Sequence, residues 1–203
     1  VGGTRNCDWW FTNEAILLDT AGRYTTESDD RDEWVAFLEQ LMKYRPSKPL
    51  NGVIVAISIN ELLDATEDQI KSLAGKVRAR IDEMQQNLKM TMPVYVLFTK
   101  ADLVAGFVES FGDYKKSERG QPWGATIPLQ EAKTEPGRLF DREFDILVEK
   151  LHARVTKRIN TERNRAARER IYQFPLEFAA IKRNLSDFMA AAFAPGGTDA
   201  VPL

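Results

Sequence analysis

Ala15-Ile16-Leu17-Leu18-Asp19-Thr20-Ala21-Gly22 is the stretch that decides the fold, because it joins an apolar run to an Asp-x-x-Gly turn. An unbroken apolar run is typical of a strand buried in a parallel sheet, and phosphates bind at the carboxyl edge of such sheets. The turn is expected to place the Asp19 carboxylate and the flexible Gly22 peptide at that edge. Asp and Gly are also ordinary turn residues, so a strand that merely ends in a turn remains an open alternative.

Thr99-Lys100-Ala101-Asp102 follows a second apolar run, Pro93–Phe98, and favours nucleotide binding over a plain turn. The order fits the Asn/Thr-Lys-x-Asp signature with which GTPases bind guanine. In that signature the aspartate accepts hydrogen bonds from the amide N–H and the exocyclic amine of the base, while the lysine stem lies along the ring. A carboxylate can only accept, so it selects guanine over adenine. We therefore predict that Thr99, Lys100 and Asp102 bind the base, although the same residues could open a helix with Asp102 in its first turn.

The two stretches together predict a magnesium and phosphate site of the P-loop NTPase kind. In these enzymes the aspartate after the strand holds Mg²⁺, usually through a water, and the glycine lets a backbone N–H approach the γ-phosphate. Asp19 and Gly22 stand at these positions. Thr4 stands in the loop before the preceding candidate strand, where switch I supplies a threonine hydroxyl to Mg²⁺. A loop threonine without a role fits the spacing of Thr4 as well.

The phosphate-binding loop Gly-x-x-x-x-Gly-Lys-Ser/Thr, called Walker A, does not occur in the 203 residues. In P-loop NTPases this loop precedes switch I, so we expect the chain to begin downstream of it. Nucleotide binding by this piece alone should therefore be weak. Arg23 occupies the position at which Ras-like enzymes orient the attacking water with glutamine, so we expect slow or absent hydrolysis. Hydrolysis of GTP or ATP is predicted only with an upstream Walker A loop, and no catalytic residue is assigned.

Strand-like and helix-like stretches alternate through most of the chain. Apolar runs predict strands at residues 7–11, 15–19, 52–58 and 93–98, the first two as an antiparallel hairpin. Stripes at helical spacing predict one helix from Asp30 to the stop at Pro46 and another over about residues 67–89. This alternation predicts an α/β fold, a GTPase-like P-loop three-layer architecture that lacks its first strand and Walker A loop and carries a C-terminal helical extension.

The last part of the chain is predicted to be helical. One long helix is expected over residues 138–172, and a second one near Pro175, which would stand in its first turn. We expect three parts: a GTPase-like domain over residues 1–137, a helical extension over 138–193 whose first helix can pack on the sheet, and a tail or linker over 194–203. The end of the long helix is basic, which fits an acidic partner, anionic lipid or a solvated helix face.

Composition limits the classes of function. The net charge of −2, from 28 basic and 30 acidic residues, argues against a protein whose main partner is a nucleic acid. Cys7 is the single cysteine, which excludes an internal disulfide and suits a reducing compartment. No apolar run is long enough to cross a bilayer and no signal peptide opens the sequence, so we expect a soluble piece.

The sequence resembles the cytoplasmic domain of the TssM/IcmF family. The resemblance extends to about Phe193 and is carried by short blocks: Gly3–Phe11, Leu18–Tyr24, Tyr44-Arg45-Pro46, Pro49–Val53, Pro93-Val94-Tyr95-Val96 with Thr99–Leu103, and Phe174-Pro175. The most specific of these is Asn6-Cys7-Asp8-Trp9-Trp10-Phe11.

The resemblance implies an inner-membrane component of the bacterial type VI secretion system, with this NTPase-like domain on the cytoplasmic face. It implies membrane attachment through segments outside this chain and assembly with TssL, TssJ and baseplate components. Mg²⁺ with GTP or ATP is the implied cofactor, bound by the metal, phosphate and base residues assigned above. Two functions remain open: a nucleotide-dependent switch or docking platform in assembly of the apparatus, and an inactive scaffold that has lost nucleotide binding.

Overall fold

The computed structural model describes residues 7–20, 31–127, 131 and 135–194. The chain divides into two compact units, residues 1–53 with 75–94, here called the hairpin unit, and residues 54–74 with 95–203, here called the helical unit. The strands are β1 (Asp8–Phe11), β2 (Ile16–Asp19), β3 (Val53–Ser58) and β4 (Val94–Thr99). The helices are α1 (Arg31–Tyr44), α2 (Asn60–Leu63), α3 (Glu67–Leu88), α4 (Phe107–Phe111), α5 (Lys116–Arg119), α6 (Pro136–Thr161), α7 (Arg165–Ala180) and α8 (Lys182–Phe193). Among the described helices, none combines the length and the apolar composition needed to pass through a bilayer.

The hairpin unit opens with β1 and β2, which pair antiparallel as predicted. Asp8 lies opposite Asp19 in the register of the two strands. The Thr12 hydroxyl closes the turn, because it accepts the Ala15 N–H at 2.9 Å and donates to the Ala15 carbonyl at 2.8 Å. A turn held in this way fixes which residues of the two strands face each other.

The apolar side chains of this hairpin are exposed, so the prediction that β2 is a buried strand is wrong. Ile16 is 55% exposed and Leu17 is 44% exposed, and Phe11 of β1 is 73% exposed. Among the described residues, β1 and β2 form a sheet of two strands. A two-stranded ribbon has no second layer against which to bury its apolar side chains. The wider doubly wound sheet stays a prediction.

Two helical stripes form the core of the hairpin unit. Trp34, Leu38 and Leu41 of α1 are buried at helical spacing, as predicted from the sequence. Ile81 and Leu88 are buried along the half of α3 that belongs to this unit. The helix predicted from about residue 67 onwards is thus confirmed.

Replacing Gly75 with alanine is expected to raise the free energy of unfolding by about 0.5–1 kcal/mol. Gly75 lies inside α3, and a Cβ built at this position meets no atom within 4 Å. Alanine reduces the freedom of the unfolded chain and improves helix propensity without a steric conflict. Urea denaturation of the wild-type and variant proteins measures the difference, and a lower midpoint for Gly75→Ala would contradict the open surroundings of this position.

Strands β3 and β4 run parallel. The Val53 N–H donates to the Pro93 carbonyl at 3.0 Å. Further along both strands, the Ile59 N–H donates to the Thr99 carbonyl at 2.9 Å, so the two strands advance in the same direction. Helices α2 and α3 supply the long connection that parallel strands require. This unit of strand, helix and strand agrees with the alternation in the sequence.

Among the described residues, helices cover the Phe98 face of β4 and leave the opposite face exposed. Phe98 lies 6.2 Å from Phe140 of α6 and 6.3 Å from Phe188 of α8, measured between ring centroids. Helix α6 therefore packs on the sheet, as predicted for the first helix of the extension. Tyr95 and Leu97 alternate with Phe98 along the strand and are more than half exposed. The prediction of a fully buried strand is wrong, because the helices of this unit cover the Phe98 face.

The long helix predicted over residues 138–172 is in fact two helices, α6 and α7. Glu162 between them is extended, with φ −81° and ψ 128°, and its carboxylate accepts the Asn164 N–H at 2.9 Å. The Asn164 side chain accepts the Ala167 N–H at 3.1 Å and thereby caps α7. Side chains that bond the backbone locally interrupt a helix even where its apolar pattern continues.

Pro175 lies inside α7, so the prediction that it stands in the first turn of a helix is wrong. A proline in a helix interior removes a backbone hydrogen bond and crowds the preceding turn, at a cost of about 3 kcal/mol. Phe174 and Pro175 are both fully buried, and the burial of apolar surface offsets part of that cost. The next helix, α8, begins only at Lys182.

Candidate nucleotide site

Asp19, the predicted magnesium ligand, ends β2 and is exposed to solvent. The register places Asp8 directly opposite it, so two carboxylates share one end of the hairpin. Like charges opposite each other destabilise a strand pair, and a bound cation relieves such repulsion. Sequence reasoning missed Asp8, because the strand register and not the spacing along the chain brings it to Asp19.

A pair of carboxylates fits the way in which Mg²⁺ binds with a nucleotide. The ion usually takes one or two protein carboxylates and completes its octahedral ligand set with waters and phosphate oxygens. Within residues 7–20, 31–127, 131 and 135–194, no group of three or more His, Cys, Asp and Glu side chains could hold a metal by itself. Thr4 and Gly22, the other residues assigned to the metal and the γ-phosphate, lie outside the described residues.

The thiol of Cys7 responds to the charge of these carboxylates. Burial raises the pKa of the Cys7 thiol above its ordinary value, and the charges of Asp8 and Asp19 raise it further. A raised pKa leaves a smaller fraction of the reactive thiolate at a given pH, so Cys7 should alkylate slowly.

Replacing Asp8 with asparagine is expected to lower the pKa of the Cys7 thiol and to speed its alkylation at pH 8 by about threefold. The substitution removes one negative charge, so less repulsion opposes the thiolate. The rate of labelling by iodoacetamide, followed against pH, measures the effect. Glu14→Gln is the matched control, because Glu14 lies in the exposed turn of the same hairpin. An unchanged profile for Asp8→Asn would mean that this carboxylate does not act on the thiol.

Thr99, the first of the predicted base residues, ties the end of β4 to the end of β3. Its hydroxyl donates to the Ile57 carbonyl at 3.3 Å, and its backbone carbonyl accepts the Ile59 N–H at 2.9 Å. These two bonds fix the point at which the loop leaves the sheet. Thr99 therefore anchors the loop, and contacts with a base would fall to Lys100 and Asp102.

Lys100 turns the chain sharply after the strand. Its backbone is left-handed, with φ 59° and ψ 34°, a conformation uncommon for residues other than Gly, Asn and Asp. Ala101–Leu103 then forms a single 3₁₀ turn, in which the Leu103 N–H donates to the Lys100 carbonyl at 3.0 Å. The alternative prediction is that the residues from Thr99 to Asp102 open a helix, and the structure has a helical turn here of three residues only. Uncommon backbone conformations of this kind cluster at ligand-binding loops.

The side chains of Lys100 and Asp102 are exposed, and within the part of the chain that the structure describes neither has a hydrogen bond or an ion pair. A carboxylate without a neighbouring cation keeps both of its oxygens available for two N–H donors. The loop can thus offer a base two acceptor oxygens and the apolar stem of a lysine.

The structure brings Thr99, Lys100 and Asp102 together at the carboxyl end of β4, within the helical unit. Asp19 belongs to the hairpin unit, at the end of β2. Carboxyl ends of parallel strands are the usual position of ligands on α/β sheets. Residues 99–102, here called the base loop, are therefore the part of the predicted site whose residues all lie within one unit.

Residues 27–203 match the family model described as the IcmF-related N-terminal domain. The chain is also similar to a Pseudomonas aeruginosa (strain PAO1) protein named type VI secretion system component TssM1, with 44% identity over 209 residues. That alignment covers 100% of this chain and 19% of the relative, so the chain spans about a fifth of the relative's length. No solved structure matches the chain.

Proposed function

Because the chain belongs to the IcmF-related N-terminal domain family, we propose that it binds guanine nucleotide and acts as a switch in the type VI secretion apparatus. The relative with 44% identity is named a component of that system. In this proposal the bound nucleotide decides whether the domain engages other secretion components, TssL, TssJ and the baseplate among them. The domain works at the cytoplasmic face of the inner membrane, to which segments outside these residues attach it.

The loop after β4 carries this proposal. Its left-handed Lys100 and single 3₁₀ turn leave the Asp102 carboxylate exposed beyond the carboxyl end of a parallel strand. Both Asp102 oxygens are available to the amide N–H and the exocyclic amine of guanine, and the Lys100 stem is available to the face of the ring. Adenine has a ring nitrogen that only accepts where guanine has its N–H, so a carboxylate there would oppose a lone pair.

A GTPase-like P-loop fold is the architecture that we propose around this loop. The parallel pair of β3 and β4 with its helical connection supports it, and the Walker A loop would lie outside these residues. In that fold Asp19, with Asp8 and Thr4, holds the Mg²⁺ that neutralises phosphate charge. Gly22 lets a backbone N–H reach the γ-phosphate, which distinguishes GTP from GDP.

Secretion by bacteria that carry Asp19→Ala in the full-length protein tests the switch. We expect the variant to accumulate normally and to lose secretion, because it lacks a metal ligand on an exposed strand end while the fold is kept. Glu14→Ala is an exposed change in the same hairpin and should secrete normally. Normal secretion by Asp19→Ala would contradict the switch.

A scaffold without nucleotide is the second candidate function, and the exposed hairpin favours it. Large apolar side chains on both strands are open to solvent: Trp9, Trp10, Phe11, Ile16 and Leu17. Exposed apolar patches of this kind mark protein interfaces more often than free surface. Under this alternative, Trp10→Ser stops secretion while Asp102→Asn leaves it unchanged, and the opposite pair of results supports the switch.

A further inference from the structure

The chain just beyond the base loop touches helix α7 so closely that only glycine fits. Gly106 has φ +85°, in the left-handed region. A Cβ at this position would lie 2.8 Å from the Phe174 Cβ and still closer to the main-chain carbonyl oxygen of Arg170. A side chain here is excluded both by the backbone conformation and by the backbone of α7.

Further contacts hold the following segment to α7. The Arg170 guanidinium donates to the Glu109 carboxylate at 2.7 Å. The Phe107 ring lies 5.8 Å from the Phe174 ring in an edge-on arrangement. The Phe111 ring, also of α4, lies 5.9 Å from the Phe174 ring. Helix α7 therefore holds α4 through one ion pair and two aromatic contacts in addition to the close approach at Gly106.

Helix α6 holds the same segment from a second direction. The Arg154 guanidinium donates to the Ser110 carbonyl at 3.1 Å and pairs with the Asp113 carboxylate. Its central carbon lies 4.2 Å from the centre of the Tyr114 ring, which is a cation–π contact. Two helices of the C-terminal part thus fix the chain that leaves the base loop.

The chain between Asp102 and Gly106 has little freedom to absorb a shift. The Val104 N–H donates to the Ala101 carbonyl at 3.0 Å, and the Val104 side chain is buried. The Phe107 N–H in turn donates to the Val104 carbonyl at 3.1 Å. A displacement of α7 against Gly106 would therefore reach the turn that carries Asp102.

We propose that helix α7 is the positioning element of the base loop, acting through the contact of Gly106 with the Arg170 backbone. We further propose that guanine binding at Asp102 and the position of α7 are coupled, and this second part rests on the proposed function. Coupling of this kind is reciprocal. A partner or substitution that displaces α7 changes the affinity for guanine, and bound guanine changes the stability of the contact between α7 and Gly106.

Hydrogen exchange in the full-length protein without nucleotide tests the positioning by itself. In Gly106→Ala we expect the backbone amides of Leu103 and Val104 to exchange about tenfold faster, since their turn loses its support. Gly75→Ala is the matched control, because its added methyl meets no atom within 4 Å, and its loop exchange should be unchanged. Unchanged loop exchange in Gly106→Ala, or an equal rise throughout α8, would overturn the inference.

A second pair of variants serves if Gly106→Ala does not fold. Arg170→Ala removes the ion pair with Glu109, and we expect about twofold faster exchange in the loop. Arg168→Ala on the same helix is its control, because the Arg168 side chain is exposed and has no hydrogen bond or ion pair among the described residues. The double variant Glu109→Arg with Arg170→Glu should restore the exchange rate. No difference between Arg170→Ala and Arg168→Ala would count against the inference.

The ratio of GTP to ATP affinity tests the coupling to the base. Contacts to the phosphates are the same for both nucleotides and cancel in this ratio, which therefore reports contacts to the base. We expect Gly106→Ala to lower the ratio by about tenfold relative to Gly75→Ala. An equal loss of affinity for both nucleotides would overturn the coupling. If the wild-type protein binds neither nucleotide, the proposed function and the coupling fail together, and the exchange result still decides whether α7 positions the loop.

Discussion

Replacing Phe174 with alanine is expected to lower the free energy of unfolding by about 3–5 kcal/mol. Phe174 is 0% exposed, and its ring lies 5.8–5.9 Å from the rings of Phe107, Phe111 and Phe178. The substitution loses the transfer free energy of the ring and leaves a cavity among aromatic side chains that cannot fully close. Because these rings join α4 to α7, the loss should fall on the whole helical unit.

Tyr172→Ala on the same helix is the matched control for this prediction. Tyr172 is 65% exposed, so its removal should change stability by no more than about 0.5 kcal/mol. Urea denaturation, followed by circular dichroism, gives both values. A cost for Phe174→Ala as small as that for Tyr172→Ala would mean that α7 does not pack against α4 in solution.

Asp102→Asn is expected to weaken GTP binding by about 1.5–3 kcal/mol, roughly 10- to 150-fold. The carboxylate accepts from two N–H groups of guanine, whereas the asparagine amide has one acceptor and turns its NH₂ group towards a donor. Xanthine carries a carbonyl where guanine carries its exocyclic amine. The variant should therefore bind XTP more tightly than the wild-type protein does.

Asp64→Asn is the control that separates the loss of base recognition from the loss of one negative charge. Asp64 is an exposed aspartate of the same unit, just beyond α2, and the substitution removes the same charge. Competition of GTP and XTP against a fluorescent nucleotide on the full-length protein measures both affinities. Equal GTP affinity in Asp102→Asn and Asp64→Asn would remove Asp102 from the base site.

Apolar patterns in the sequence predicted the positions of strands and helices better than they predicted which side chains are buried. The stripe of α1 and the pairing of β1 with β2 follow from spacing and turn chemistry, which are local properties. Whether Ile16 and Leu17 are buried depends on neighbouring strands and helices, which an apolar run does not specify. The resemblance to the TssM/IcmF family rests on whole blocks of sequence and is confirmed by the family match and the 44% identical relative.

In the C-terminal helices, the apolar pattern and the side-chain caps predict different helix boundaries. The apolar stripe of α6 continues towards α7, yet Glu162 and Asn164 bond the backbone between them and divide the helix. Asparagine before a helix is a readable cap signal, although the continuing stripe conceals it. Pro175 stands in a helix interior because tertiary burial compensates for its missing donor, and no local signal indicates that.

The position of Thr99, Lys100 and Asp102 at the end of β4 could be predicted because these residues are neighbours in the chain and follow an apolar run. Asp8 could be placed beside Asp19 only from the register of the hairpin. The contact of Gly106 with α7 joins residues far apart in sequence, and its one local signal is an isolated glycine soon after the motif. The binding function of these residues remains a proposal.

Calorimetric titration of GTP and of ATP, each with Mg²⁺, into the full-length protein tests the central claim most directly. We predict that GTP binds more tightly than ATP by about tenfold or more, and that Asp102→Asn abolishes this preference while Asp64→Asn keeps it. If a folded protein gives no heat of binding with GTP or with ATP, the switch is contradicted and the scaffold function is favoured. Binding of ATP in preference to GTP would contradict the assignment of the base loop.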